Sequence, residues 1–355
     1  MADVAAAAAH VNHMTWALAI ALVLVPLATG GAGGKSAPFS REAYVMGTRV
    51  TLTTWDSSRV RGLARLEQLL QPIEATDRQL STWRSDSEVS RLNAAGAPFR
   101  LSPSLCALLT GLERWTTASD SAFDPAIGAL SLAWGIHTGG RLPSASVVAA
   151  AQQASGWQRL GFDAARCTIA KSADVALDVG GFGKGEALDR ARAAVSPAEA
   201  WLIDLGGQVA VNLAPPGRVG WPVGIAHPQR RQKAALILEM SSGSIATSAG
   251  SERDLYADGR RISHILDPRT GRPATFTGSV TVWHDDALAA DALSTALFVM
   301  GPERGLRWAE AHAVAACYLI PTADSPPEVR SSSAFTTKFP RLRKLAGRRG
   351  TAGNP

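Results

Sequence analysis

The hydrophobic pattern of the chain changes period many times along its length. Residues 44–55 (YVMGTRVTLTTW) are β-rich around a Met-Gly-Thr turn, and residues 60–73 place Leu63, Leu66, Leu69, Leu70 and Ile73 at near-helical spacing. Residues 102–118 predict a second helix, with Ser102 as N-cap and Pro103 in the first turn. A short buried strand over 175–179 leads into a glycine-rich turn and a helix from about 184 to 195. Residues 201–205 and 209–213 flank Gly206 and Gly207 as a hairpin. Further strands are expected at 234–240, 244–248, 261–266 and 278–283, a helix at 288–300, and a last helix–strand pair ending near Ile320. Strands and helices mix without a regular βα repeat, which predicts one α+β unit rather than a doubly wound sheet.

The two ends break this pattern. Residues 15–29 (TWALAIALVLVPLAT) are an apolar run of secretory length, short of the roughly 20 residues a spanning helix needs. Residues 1–38 are therefore expected to be a signal peptide or membrane anchor, without a following Cys for lipid attachment. Residues 323–355, rich in Pro, Ser and basic side chains, read as a disordered tail, leaving 40–322 as the folded unit. Composition elsewhere is globular, with 46% hydrophobic and 19% charged residues in 355. The net charge of +6 is a property of the tail: from Val329 onward there are seven Lys and Arg and no acid, and removing those seven leaves about −1. A nucleic-acid partner, which calls for a basic stripe on a folded surface, is not expected. Cys106, Cys167 and Cys317 are widely spaced without a CxxC pair, so they read as buried, unreactive thiols rather than a disulfide framework or zinc site.

Three clusters carry candidate chemistry. In 178–185 (DVGGFGKG), glycines allow a backbone to approach a bulky anion, and Lys184 with helix-start amides complements phosphate. Gly185 after Lys184 rules out a Walker loop, and glycines at 180, 181, 183 and 185 rule out GxGxxG. The alternative is a tight structural turn with a solvated lysine. In 287–298 (ALAADALSTALF), Asp291 and Thr295 share one helix face. A carboxylate among Ala and Leu is costly unless paired or metal-bound, and Asp plus hydroxyl suits Mg²⁺. The alternative is local capping by Asp291 with Thr295 bonding back to its own helix. In 262–271 (ISHILDPRTG), His264 lies between turns, either as a core histidine or as a proton acceptor. Trp83, Phe123, Asp124 and Trp134 stand in mixed polar and aromatic runs that either stack a planar ring or fill the core.

Taken in chain order, these segments resemble the ApbE family, the FAD:protein FMN transferases, from about Tyr44 to about Ile320. The resemblance is carried by MGT, STWRSDSEVSRLN, FDPAIGAL followed by WG, DVGGFGKGEALD, LIDLGGQV, WPVGIAHP, SIATS, ISHILDPRTGRP and SVTVWHDDALAADALSTALFVMG. It implies a T-fold-like α+β catalytic unit that moves FMN from FAD to a Ser or Thr hydroxyl in a short motif of an acceptor protein, releasing AMP. It further implies that Met46, Trp83, Ala122, Phe123, Asp124, Asp178, Lys184 and Ile265 line the FAD site. Asp291, Thr295 and the backbone carbonyl of Gly181 would hold Mg²⁺. His264 is the candidate base for the acceptor hydroxyl, oriented by Asp267, with Asp291 acting through the metal. Acceptors in the family include subunits of membrane redox pumps, and the enzymes are periplasmic or anchored to the inner membrane. An FAD pyrophosphatase giving FMN and AMP, and a non-catalytic flavin-binding protein, are the alternatives. The chain departs from the family pattern at Gly183, where Ala is common, at Glu186, where an apolar or aromatic residue is usual, and at 248–253 (SAGSER), which lacks the usual Ser-Gly.

Overall fold

The β-rich stretch around Met46 folds as a hairpin because Met46 and Gly47 both take positive φ, 54° and 69°, a two-residue turn that matches strand twist. It joins β1 (Ala37–Val45) to β2 (Thr48–Asp56), with Val45 opposite Thr48. The computed structural model describes residues 36–96, 98–250, 255–257, 259–323 and 326–345. The apolar run at 15–29, the SER segment at 251–253 and the end from 346 lie outside them.

After the hairpin come α1 (Arg59–Leu80), α2 (Glu88–Ala94), β3 (Phe99–Arg100) and α3 (Pro103–Ala118), the last capped by Ser102 as the spacing predicts. Next follow α4 (Gly128–Trp134), α5 (Ala145–Gln153), β4 (Phe162–Asp163), β5 (Thr168–Ile169) and α6 (Gly183–Ala193). Five strands succeed these: β6 (Trp201–Leu205), β7 (Gln208–Asn212), β8 (Trp221–His227), β9 (Arg230–Met240) and β10 (Ser242–Ala249). Then come short hairpins of β11 (Leu255–Ala257) with β12 (Arg260–Ile262) and of β13 (Leu266–Asp267) with β14 (Arg272–Pro273). The chain continues through β15 (Ser279–His284), α7 (Ala287–Ala311), β16 (Ala315–Ile320), β17 (Glu328–Ser331), α8 (Ser333–Lys338) and β18 (Arg343–Lys344). Helix α7 breaks at Gly301, φ 74°, just before Pro302, which cannot continue the backbone bonding of the first half.

The organising element is an eight-stranded sheet ordered β1-β2-β6-β7-β10-β15-β16-β17, with antiparallel neighbours throughout. Its period-two alternation sorts side chains onto two cores. From β6, Trp201, Ile203 and Leu205 meet Leu66, Leu69 and Ile73 of α1 and Leu188 of α6. Leu202, Val209 and Val211 point the other way, against Val223, Ile225, Leu236 and Leu238 of a three-stranded sheet ordered β18-β9-β8. Helices, large sheet and small sheet thus form three layers of one α+β unit.

The structure corrects four expectations. Residues 175–179 are extended but form no ladder; the Asn93 side chain bonds Leu177 N and O (2.8 and 2.9 Å), and Asp178 N donates to Pro125 O (2.8 Å). The strand expected over 261–266 breaks at 263–265, placing His264 in the break. Residues 328–344 are folded, not a tail: Phe335 and Phe339 are buried in the core beneath the small sheet, apolar residues that the basic composition hid. Finally, Cys106 and Cys167 form a disulfide, with 5.4 Å between their Cα atoms. The pairing of β3 with β5 brings them together, across 61 residues of sequence that carry no local signature. Only Cys317 is a free thiol, and burial pushes it up to about 12.

Candidate functional site

Two helix starts cross at the centre of the site. Gly185, in the first turn of α6, lies directly on the first turn of α7, and a methyl group on it would stand 2.5 Å from Ala287 O and 2.6 Å from Leu288 Cα. From the next turn of α6, Asp189 reaches the orphan amides of α7, accepting from Ala287 N (2.9 Å) and Leu288 N (2.8 Å). Burial pushes the Asp189 carboxyl up, against the pull of those two amides. Gln208 of β7 donates to Ala287 O (2.8 Å). The start of α7 is therefore fixed from two neighbouring elements.

One turn further along α7 stands Asp291, 4% exposed. Its carboxylate accepts from Gly185 N (3.1 Å) and lies 3.3 and 3.5 Å from the Lys184 ammonium. Thr295 Oγ1 bonds back to Asp291 O (3.2 Å), so both alternatives weighed for Thr295 meet here: a hydroxyl on the Asp291 face and a local hydrogen bond. Gly181 sits against this pair, where a methyl group would lie 3.2 Å from both Thr295 Oγ1 and the Phe123 ring. At Gly183 a methyl group would lie 3.3 Å from Met46 Cε, so the hairpin turn packs on the glycine turn. Met46, Phe123, Gly181, Lys184, Asp291 and Thr295 are thus brought together.

The other end of the glycine turn holds a second group. Asp178 Oδ2 is 2.8 Å from His137 Nε2, and Oδ1 accepts from Gly180 N (2.8 Å). Burial pushes this carboxyl up, but the His137 hydrogen bond and charge, the Ser131 hydroxyl and the Gly180 amide outweigh it and hold it below the usual range. Trp83 stands edge-on to His137, 5.7 Å between ring centres.

The remaining expected residues are more internal. The Asp124 carboxylate accepts from Ala126 N in its own loop and from Trp157 N, 33 residues further along the chain (both 2.8 Å), and burial raises it. Ala122 is buried beside it. Ile265 packs with Leu293 and Leu297 of α7, and half-buried His264 precedes it in the chain. Asp267 does not orient His264: its two oxygens are taken by Arg269, through N (3.0 Å), Nε (2.8 Å) and Nη2 (2.9 Å). Glu186 is turned to Arg190 (2.5 Å), which continues to Gln79 (2.7 Å), so its charge is neutralised away from the glycine turn.

The donor set fits magnesium. A carboxylate, a hydroxyl and a main-chain carbonyl are hard oxygens, and Mg²⁺ takes few protein ligands beside water and phosphate. Among the described residues no group of three or more His, Cys, Asp and Glu is placed to bind a metal. Sequence reasoning missed His137 and Asp189. The second had a signal, since Gly185 and Asp189 are four apart on one helix face; the first had none, its partner being 41 residues away.

Comparison with known proteins accords with this geometry. The profile of the ApbE family matches residues 46–319. An FAD:protein FMN transferase of Vibrio cholerae is 30% identical over 271 residues, covering 74% of this chain and 80% of that protein. One from Klebsiella pneumoniae is 32% identical over 292 residues, covering 78% and 83%. The crystal structure of the ApbE protein of Thermotoga maritima superposes with a TM-score of 0.78 at 26% identity, covering 85% of this chain and 99% of the other. The glycine turn, the helix crossing and the Asp291–Thr295 face all fall inside the matched region, and the chain belongs to the ApbE family.

Proposed function

We propose that this protein transfers FMN from FAD to a Ser or Thr hydroxyl of an acceptor protein in a magnesium-dependent reaction. The observation that carries this reading is the convergence of the glycine turn, Lys184, Asp291 and Thr295 at the crossing of α6 and α7. The hydroxyl oxygen forms a bond to the FMN-side phosphorus, the bond from that phosphorus to the bridging oxygen breaks, and AMP leaves with the electron pair. Asp291, Thr295 and the Gly181 carbonyl would hold the magnesium, which would supply positive charge to offset that of the pyrophosphate. The first amides of α6 and the Lys184 ammonium add positive potential where a phosphate would lie. The close packing of Gly181 against Thr295 and Phe123 leaves the backbone near enough to take part. His264 is assigned the hydroxyl proton, a histidine being suited to that task near neutral pH.

The acceptor is a second protein, and no nucleic acid is involved. Export to the periplasm, free or anchored at the inner membrane, is proposed for the whole chain. The Cys106–Cys167 disulfide supports it, since such bonds persist in oxidising compartments. Among the described residues no helix is long and apolar enough to cross a membrane. Incubating the purified protein with FAD, Mg²⁺ and a candidate acceptor should give an acceptor heavier by one FMN. Release of free FMN and AMP with an unmodified acceptor would instead establish the hydrolase.

A further inference from the structure

Beside the Asp178 end of the glycine turn is a recess of about 150 Å³, bordered by Asn93, Ser131, Leu132, His137, Thr138 and Asp178. Two aromatic planes meet next to it: Trp83, 72% exposed, stands at 80° to the His137 ring. The imidazole is pinned on its other side, because Nε2 is spent on the buried Asp178 carboxylate. Rotating the ring away would strip that carboxylate of a hydrogen bond, a costly loss for a buried charge. A large exposed tryptophan at right angles to a fixed ring forms a corner, and such a corner accepts a flat π-system by stacking on one plane and meeting the edge of the other. Leu132, 70% exposed, adds apolar surface on the same rim. Ser131 and Thr138 also border the recess, their hydroxyls engaged with Asp178 and with Gly135 O (3.3 Å), so the polar part of its wall is held in place.

We infer that His137 is a positioning residue for one planar ring system of the dinucleotide substrate, held in pose by Asp178 and completed by Trp83. This rests on the proposed reaction with FAD, whose two ring systems are the adenine and the isoalloxazine. Either has the required flatness, and AMP and FMN used separately tell them apart.

The test is calorimetric titration of wild type, His137→Ala and His137→Gln with FAD, AMP and FMN in saturating Mg²⁺, with melting temperatures on the same preparations. Glutamine can still donate to Asp178 but has no ring. Both variants should bind FAD about tenfold more weakly, in line with the loss of one aromatic contact. Either AMP or FMN should weaken by a similar factor, with the other within about twofold. Steady-state transfer by His137→Ala should show the change mainly in KM for FAD, with a smaller change in kcat. Unchanged FAD affinity in His137→Ala overturns the inference, as does wild-type affinity in His137→Gln. So does equal weakening of AMP and FMN, or a loss of affinity that merely tracks a lowered melting temperature. A wild type that binds FAD but never modifies an acceptor would sink the proposed function and leave the ring assignment to be judged on the binding data alone.

Discussion

Asp291 has a place in the packing as well as in the proposed chemistry. Its carboxylate ties α7 to α6 through Gly185 N and sits beside the Lys184 ammonium. Asp291→Asn keeps an oxygen that accepts from Gly185 N but discards the charge a metal ion requires. We expect a melting temperature close to wild type and a single-turnover transfer rate lower by about 10²–10³, the scale for losing preorganised charge stabilisation. Full activity at raised Mg²⁺ would remove Asp291 from the metal site. A second carboxylate yields a pH prediction. Asp204 is buried in the β6–β7 hairpin, accepting from Gly207 N (2.8 Å), and burial lifts it above its ordinary range. Between the ordinary value, about 3.9, and the raised one, the native state holds more protons than the unfolded state, so stability falls as pH rises through that window. Asp204→Asn, which keeps the acceptor and carries no charge, should melt above wild type at pH 7.5. The gap should close as pH falls through the window, as fluorimetric melting at a series of pH values would record. Single residues were unevenly legible in the sequence. The shared face of Asp291 and Thr295 follows from helical spacing, whereas the pairing of Lys184 with Asp291 joins residues 107 apart and needs the fold.

Elements were more legible where their ends are closed locally. Ser102 before α3, the Met46–Gly47 turn and the Gly206–Gly207 turn each close within a few residues, so local sequence is enough to place them. The start of α7 is closed from α6, so its cap was not readable, and the extended run at 175–179 is held by Asn93 rather than by a neighbouring strand. The same crossing gives an element-scale prediction. Gly185→Ala drives a methyl group into the backbone of α7, where Ala287 O and Leu288 Cα have no side-chain freedom to yield. The helices must part by a few tenths of an ångström or more. The expected loss is about 1–3 kcal/mol, the usual range for overpacking, measured by urea unfolding. Transfer should fall as well, because Gly185 N and Asp291 move apart together.

At the scale of the whole molecule, the fold closes only with its last segment. Phe335 and Phe339 seal the core between the large sheet and the β18-β9-β8 sheet, and Ser332 caps α8 through Phe335 N (3.3 Å). Burying two such rings contributes about 3–6 kcal/mol, a large part of the roughly 5–15 kcal/mol by which domains are stable. A chain ending at Thr322 should therefore be insoluble or melt far lower than one ending at Leu345, a comparison that light scattering and thermal melts settle. Basic composition concealed this, because two aromatics in a run of Arg and Lys barely alter an average. The opening hairpin has a consequence for attachment. Its turn, at Met46, packs on Gly183, while Ala37 is at the opposite end of β1, roughly 27 Å along the strand at about 3.4 Å per residue. Strand β1 is paired with β2 along its whole length, which holds its two ends about one strand length apart. A tether joined before Ala37 would start at the end of the strand far from the Met46 turn, so changing its length would leave the packing of that turn untouched.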